Sequence, residues 1–262
     1  MTIEILPDEK KSESESLIRF IELHKLISLI RQKTLFFTRL DLLPDPFEGV
    51  TTTLIKQRYL AKLIPSRERM NPKLPAELIE ENLRQKENTE KYYDEEAIRK
   101  QKSQFVNCWS KGDRESMAMW NLYSNKESVA IKIQKNELLD YLKNNLELQP
   151  LLYPDFQLIC GSVKYYELNP VNLKVVVKVP YSAFKKDIAF EFENEYRLLI
   201  VSPLEKNEDN PSKIELNITG ELLNKMEIIC HPEMSDWQFD NIKELCQKIK
   251  FKNVRKSLIE MK

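Results

Sequence analysis

The chain has 262 residues, 42% of them hydrophobic and 31% charged, and its 41 basic and 41 acidic side chains give a formal net charge of zero. This is the composition of a globular protein with a sizeable core, and the balanced charge does not indicate binding to nucleic acid or to an anionic membrane. No apolar run approaches the roughly 18–20 residues of a membrane span, and the polar start lacks the features of a signal peptide. We expect a cytoplasmic protein with a flexible tail over residues 1–16 and a single α+β domain over residues 17–262.

Hydrophobic spacing predicts the elements in chain order. A strand at Leu17–Ile21, a helix at Leu23–Ile30 and a strand at Thr34–Thr38 come first. Residues 53–104 are rich in Lys, Glu, Arg and Gln, which predicts a helical insertion with helices at about 53–63, 76–87 and 92–103. Its charged faces offer a surface for a protein partner, or they are simply solvated.

The second half of the chain mixes strands and helices without regular alternation. Strands are predicted at Phe105–Trp109, Ser128–Ile133, Gln157–Leu168, Leu173–Val179, Ile188–Val201, Ile214–Ile218, Met226–Cys230 and Asn253–Glu260, and helices at Arg114–Ser124, Lys135–Leu146 and Asp236–Lys248. This order favours an α+β fold with a mixed, mainly antiparallel central sheet flanked by helices.

Several kinds of site are excluded by what the chain lacks. The four glycines lie too far apart for a Walker loop or a Rossmann fingerprint, which need several glycines within a few positions. The two histidines are isolated, so we expect no metal. The cysteines, Cys108, Cys160, Cys230 and Cys246, have apolar neighbours and are predicted to be buried, with a nucleophilic Cys108 or Cys230 as the alternative.

The segment AFEFENEYRLLI, residues 189–200, has the sharpest local pattern. Read as a strand, it places Glu191, Glu193, Glu195 and Arg197 on one face. Neighbouring carboxylates repel one another, which does not stabilise a strand. The face is therefore either a solvated surface or the lining of a groove, where one acid holds a ribose hydroxyl or acts as a general base and Arg197 orients it.

Two further segments contain candidate binding residues. In the helix of residues 114–124, Trp120 and Tyr123 have flat rings with polar groups, suited either to the core or to a base or nicotinamide. In the turn DPFEG, Asp45 either caps its own backbone or, together with Glu48, rims a pocket.

Arg19, on the first predicted strand, is either a surface residue or the cation for a phosphate or carboxylate group. Thr38, at the end of the second predicted strand, is a polar neighbour for it.

Five segments together resemble a bacterial family known as domain of unknown function 2971. They are Ile18-Arg19-Phe20, LFFTRLDLLPDPFEG, VNCWSKGDRESMAMWNLYS followed by VAIKI, FKKDIAFEFENEYRLLI and IICHPEMSDWQFDNI. The chain departs from the family pattern at Ile18, where an aromatic residue is usual, and at Pro44, where asparagine is usual.

The plan of this family is similar to that of ADP-ribosyltransferase-like domains. The resemblance implies that Arg19 binds cofactor phosphate or ribose beside Thr38, that Tyr123 or Trp120 stacks on nicotinamide, and that Glu195, with Glu193 nearby, is the catalytic acid.

The expected function is thus an NAD-using transferase or glycohydrolase, with a role as a toxin or phage-defence effector. The alternatives are a sensor or interaction module that binds a nucleotide-like ligand without turnover, and a nuclease with Mg²⁺ on Asp45, Glu48, Glu193 and Glu195.

Overall fold

A computed structural model describes residues 2–7, 15–63, 75–145, 155–168, 179, 181–203, 210–248, 251 and 253–260. The helices are α1 Leu23–Gln32, α2 Thr52–Leu63, α3 Ala76–Lys102, α4 Met117–Tyr123, α5 Lys135–Asn144, α6 Gly220–Lys225 and α7 Asp236–Lys248. The strands are β1 Thr2–Ile5, β2 Ser16–Ile21, β3 Thr34–Arg39, β4 Gln104–Lys111, β5 Val129–Gln134, β6 Gln157–Ser162, β7 Lys164–Tyr166, β8 Lys185–Asp187, β9 Glu195–Val201, β10 Lys213–Asn217, β11 Glu227–Cys230 and β12 Val254–Lys256. Short 3-10 helices cover Leu40–Leu42, Ser182–Phe184 and Ile188–Glu193. In these ranges no helix combines the length and the apolarity that crossing a membrane requires.

Ten strands form one mixed sheet, in which β1, β6, β9, β4, β2, β5, β11 and β12 follow one another, and β3 links β4 to β10. The β1–β6 and β11–β12 pairs, at the two ends of that order, are parallel. The other pairs of this sheet are antiparallel. Strands β7 and β8 form a separate parallel pair. Helices flank the sheet, so the predicted α+β class with a mainly antiparallel sheet is confirmed.

The sheet divides beside β4. One edge of β4 pairs with β9 from Gln104 to Ser110. The other edge pairs with β3 near Val106 and with β2 near Ser110. Asn107 spans the division, because its side-chain amide donates a hydrogen bond to the Phe36 carbonyl at 2.8 Å. Arg19 follows the last β2 residue that pairs with β4, so it lies where the two strands separate.

The alternation of side chains gives the sheet two different faces. The core face packs against α1, α5, α6 and α7, and it contributes Leu17, Trp109, Ile131 and Leu198 to the main hydrophobic core. The opposite face, called here the site face, has one apolar cluster that includes Phe184 and another that includes Trp120 of α4. Two β9 residues of the site face, Glu195 and Arg197, belong to neither cluster.

The predicted helical insertion consists of α2 and α3. The segment predicted as two helices, 76–87 and 92–103, is one continuous α3 of 27 residues, because no proline or glycine interrupts it. It is fastened to α2 by an apolar cluster with Leu54, Ile55 and Ala97, and by the ion pair of Arg58 with Asp94 at 2.7 Å. Most of α3 is exposed, and its use by a protein partner stays a prediction.

Other differences from the predicted elements are local. Residues 2–5, within the predicted loose tail, form β1 against β6. The predicted strand at 157–168 is divided into β6 and β7 at Val163, and α6 was not predicted. The predicted strand at 173–179 lies outside the described residues, apart from Val179.

Candidate functional site

Five charged side chains meet on the site face and form what we call the charged cluster: Glu48, Lys186, Glu193, Glu195 and Arg197. All five residues are buried, with exposed fractions of 7% or less. They come from three parts of the chain: the turn after β3, strand β8, and the junction of the 188–193 helix with β9. Charged residues are rarely buried unless they are paired, so the pairing within this cluster decides its chemistry.

Arg197 is the centre of the cluster and is fully buried. Its Nε and Nη2 atoms donate hydrogen bonds to Oε2 of Glu195 at 2.9 and 2.5 Å, and Nη1 donates to the Ala183 carbonyl at 2.6 Å. Nη1 also lies 2.7 Å from Oε2 of Glu48, an ion pair whose geometry falls short of a hydrogen bond. Although burial opposes the charge, attraction to Glu195 and Glu48 holds the pKa of Arg197 well above its usual value.

Lys186 lies among all three carboxylates. Its Nζ atom is 3.2 Å from Glu48, 2.5 Å from Glu193 and 3.8 Å from Glu195. Burial works against the ammonium charge, but attraction to Glu195 and Glu48 still raises the pKa of Lys186. The ammonium group thus takes the position that a divalent cation would need, which disfavours the Mg²⁺-dependent nuclease alternative.

Glu193 connects the charged cluster to the protein surface. Its Oε1 atom accepts a short hydrogen bond from the hydroxyl of Tyr123, while Oε2 contacts Lys186. Tyr123 is 46% exposed, so its ring stands between solvent and Glu193. Burial, together with repulsion from Glu195, raises the pKa of Glu193 above its ordinary value.

In contrast, Arg197 and Lys186 lower the pKa of Glu48 despite its burial. The cluster therefore holds carboxyl groups in opposed environments, which is typical of acid–base sites.

Glu195 has one anchored and one free carboxylate oxygen. Its contacts to Arg197 and Lys186 all involve Oε2. No described residue donates a hydrogen bond to Oε1. The backbone N–H of Glu195 donates to the hydroxyl of Tyr165 at 2.8 Å, which fixes the start of β9. An anchored carboxylate with a free oxygen can accept a hydrogen bond from a bound hydroxyl group.

Two more ionisable residues border the cluster. Lys185 donates from Nζ to the Val50 carbonyl at 2.6 Å, and burial lowers its pKa to about 8. Asp45 accepts a hydrogen bond from the Phe47 N–H at 2.9 Å through Oδ1, as predicted for a capping turn. Its Oδ2 atom is buried without a hydrogen bond from the described residues, and burial raises its pKa.

The segment that carries these acids differs from the predicted strand. Residues 188–193 form a 3-10 helix, which begins where the Asp187 side chain accepts from the Ala189 N–H at 3.0 Å. Asn194, with φ of 44°, ends this helix in the left-handed region and turns the chain into β9. The predicted face of four charged residues is therefore wrong for Glu191, which is exposed, while Glu193 is brought next to Glu195.

Trp120 and Tyr123 have different environments although both belong to α4. Trp120 is fully buried, where it packs edge-on against Phe20 and His231 and donates from its indole N–H to Glu115 at 3.2 Å. It is therefore a core residue and its ring is not available for stacking. Of these two predicted aromatic residues, only Tyr123 reaches the charged cluster.

Arg19 and Thr38 lie on the two strands that separate beside β4. The Arg19 guanidinium makes no hydrogen bond or ion pair with any described residue, and burial lowers its pKa. Thr38 is half-buried, and its opposite residue on β4 is Val106, on the site face. Both residues therefore lie next to β4, the strand that pairs with β9. Neither contacts the charged cluster.

Sequence reasoning missed the two lysines of β8, Lys185 and Lys186, and the anchoring residue Tyr165. A signal was present in the adjacent lysines of FKKD, since the flanking residues are apolar and acidic. Lysine is usually exposed, and the pattern alone does not show that it is buried. Cys160, Cys230 and Cys246 are buried as predicted, whereas Cys108 is half-buried. Burial raises the pKa of Cys160 and Cys230 to about 12, which disfavours a thiolate.

Comparison of the chain with protein-family models, with curated proteins and with solved structures finds no match. The resemblance to the family of domain of unknown function 2971, and through it to ADP-ribosyltransferase-like domains, therefore stays a prediction.

Proposed function

We propose that this protein breaks the bond between nicotinamide and ribose in NAD and passes the ADP-ribosyl group to water or to another acceptor. The proposal rests on the contacts that the two carboxylate oxygens of Glu195 make. One oxygen of its carboxylate is anchored by Arg197 at 2.5 Å, and the other accepts no hydrogen bond from the described residues. A rigidly held carboxylate with a free oxygen is what stabilisation of a ribosyl cation requires.

In the proposed reaction the bond between C1′ of ribose and the pyridinium nitrogen breaks. Both bonding electrons go to the nitrogen, so nicotinamide leaves as a neutral molecule. The free oxygen of Glu195 holds a ribose hydroxyl and stabilises the positive charge that develops on the sugar. Water or an acceptor group then bonds to C1′, and its proton passes to a carboxylate of the charged cluster.

One further side chain has a role in this proposal. Tyr123 is half-exposed beside Glu193, and its ring offers the flat contact that nicotinamide needs. Trp120, buried in the core, has no part in it. Arg19 has no part in it either, because β2 pairs Arg19 with Ile131 of the core face, so Arg19 lies on the side of the sheet away from the charged cluster.

The test is release of nicotinamide from NAD by the purified protein, measured by chromatography, with and without cell extract as a source of acceptors. Glu195→Gln should lower the rate about 100-fold or more, because the amide cannot stabilise positive charge as a carboxylate does. Glu191→Gln is the matched control, since Glu191 is exposed and lies outside the cluster. Absence of release by the unmodified protein under all these conditions contradicts the proposal.

One observation favours a second candidate, a module that binds a nucleotide-like ligand without turnover. The charged cluster is almost closed, and Glu48 and Glu193 have both carboxylate oxygens in contact with Arg197, Lys186 or Tyr123. Thermal unfolding with NAD, ADP-ribose and other nucleotides separates the two functions. Stabilisation without product formation supports the binding module.

A further inference from the structure

An apolar groove lies between α1 and α7 on the outside of the core face, away from the charged cluster. Its cavity volume is about 230 Å³, and its lining includes Leu23, Ile27, Trp237, Asn241 and Leu245. These positions are spaced by four residues along each helix, so they form two parallel stripes. Trp237 is 65% exposed, although such a large apolar side chain is normally covered.

The groove has an acidic end and a basic end. Strands β2 and β11 both pair antiparallel with β5, and their last residues, Ile21 and Cys230, both face Val129. Helices α1 and α7, which follow these strands, therefore start at the same edge of the sheet. Glu127 lines the groove at this edge, just before β5. Arg31 lines an adjoining depression that shares Ile27, and it lies about 12 Å along α1 from Leu23.

Glu127 and Arg31 are both exposed, and neither side chain forms an ion pair with the described residues. Each is thus available to a partner that brings the opposite charge to that end of the groove. A two-fold axis that lies in the plane of the interface, perpendicular to the helices, would stack a second α1–α7 face on the first, with the helices of the two copies antiparallel. Such an arrangement sets Arg31 of each copy against Glu127 of the other.

We propose that the α1–α7 face binds a second copy of this chain and forms a two-fold symmetric dimer with Trp237 in its interface. The face is about 20 Å long and about 20 Å wide, from the length of α7 and the width of two helices. This is smaller than the roughly 800 Å² per partner of a standard interface, so the dimer is reversible, with dissociation on the order of micromolar.

The experiment is sedimentation velocity over a concentration series, with tryptophan fluorescence measured in parallel. The unmodified chain should pass from monomer to dimer, and the emission of Trp237 should shift to shorter wavelength as it does so. Trp237→Ser should weaken association at least about tenfold while leaving the fold intact, because this side chain is mostly exposed in the monomer.

Charge reversal tests the orientation. Arg31→Glu and Glu127→Arg should each weaken self-association about tenfold, since both symmetric ion pairs become repulsive. An equimolar mixture of these two variants should recover association, because each mixed dimer contains two attractive pairs. Arg84→Glu, which reverses an exposed charge on α3, is the control and should associate like the unmodified chain.

Two outcomes overturn the proposal. One is a monomer at every concentration up to the solubility limit. The other is a dimer that none of the changes at Trp237, Arg31 and Glu127 affects, because its interface then lies elsewhere.

Discussion

Replacing Lys186 by methionine should destabilise the protein strongly. Methionine keeps the length of the side chain but removes the charge that lies 3.2, 2.5 and 3.8 Å from Glu48, Glu193 and Glu195. Removing one partner of a buried ion pair costs about 3–5 kcal/mol, because the remaining charges stay buried without compensation. For a chain of this size, such a loss lowers the melting temperature by about 10 °C.

Lys185→Met is a matched control, since the two lysines are adjacent and both are buried. Lys185 contacts a backbone carbonyl rather than a carboxylate, and burial lowers its pKa to about 8. Its charge therefore opposes folding, and the variant should be as stable as the unmodified protein or more so. Denaturant unfolding at pH 7 measures both variants, and equal losses for Lys186→Met and Lys185→Met would refute the reasoning.

The effect of Lys186→Met should also depend on pH. Without the ammonium, the pKa of Glu193 rises further and the pKa of Glu48 is lowered less, so these two groups take up protons on folding as the pH falls. The loss of stability should therefore shrink between about pH 7 and pH 4–5. A loss that stays constant over this range would mean that packing, not charge, causes it.

Four other predictions concern single positions. The stability difference between Lys185→Met and the unmodified protein should shrink as the pH rises from about 8 to 10.5, because the folded protein loses the Lys185 proton before the unfolded chain does. A constant difference in denaturant unfolding over this range contradicts this. Glu115→Gln should cost about 1–3 kcal/mol, because Glu115 binds Arg255 at 3.0 Å and the backbone of Leu258 at 3.3 Å; an unchanged melting temperature counts against this role. Asn194→Gly should be nearly neutral in thermal unfolding and Asn194→Ala about 1 kcal/mol destabilising, as φ is 44°. Gly49→Ala should cost at least about 1 kcal/mol by the same measurement, because φ is 70° and the added Cβ would lie 2.4 Å from a Leu40 methyl carbon.

The predicted elements agree with the structure where an apolar pattern is local and regular. The strand around Leu17 and Ile21 and the helix from Asp236 follow their spacing, because each buries one side against the same core. The alternating FEFE segment fails, although alternation is typical of a strand. There the Asp187 cap and the left-handed Asn194 select a 3-10 helix, and local turn chemistry overrides the period.

The charged cluster was predictable in its residue types and not in its pairing. Glu193 and Glu195 stood out because like charges follow one another along the chain, and Arg197 stood out as the cation next to them. Lys186 did not stand out, because its burial depends on Glu48, which the chain supplies from the turn after β3. Contacts between distant segments of this kind leave no periodic signal in a single sequence.

Burying the charged cluster costs free energy, and this cost favours a role for the cluster in the proposed chemistry. Well-packed apolar residues in place of a buried ion network are often as stable or more stable, so stability alone does not account for it. Glu48→Gln and Glu195→Gln separate the two explanations, because both carboxylates contact Arg197 and Lys186, yet these contacts use both oxygens of Glu48 and only Oε2 of Glu195. The two variants should lose similar stability. Nicotinamide release per folded molecule should fall at least about tenfold further in Glu195→Gln, because a catalytic carboxylate contributes far more to the rate than to the fold. Equal losses of release in the two variants would make the cluster a structural feature of the site face.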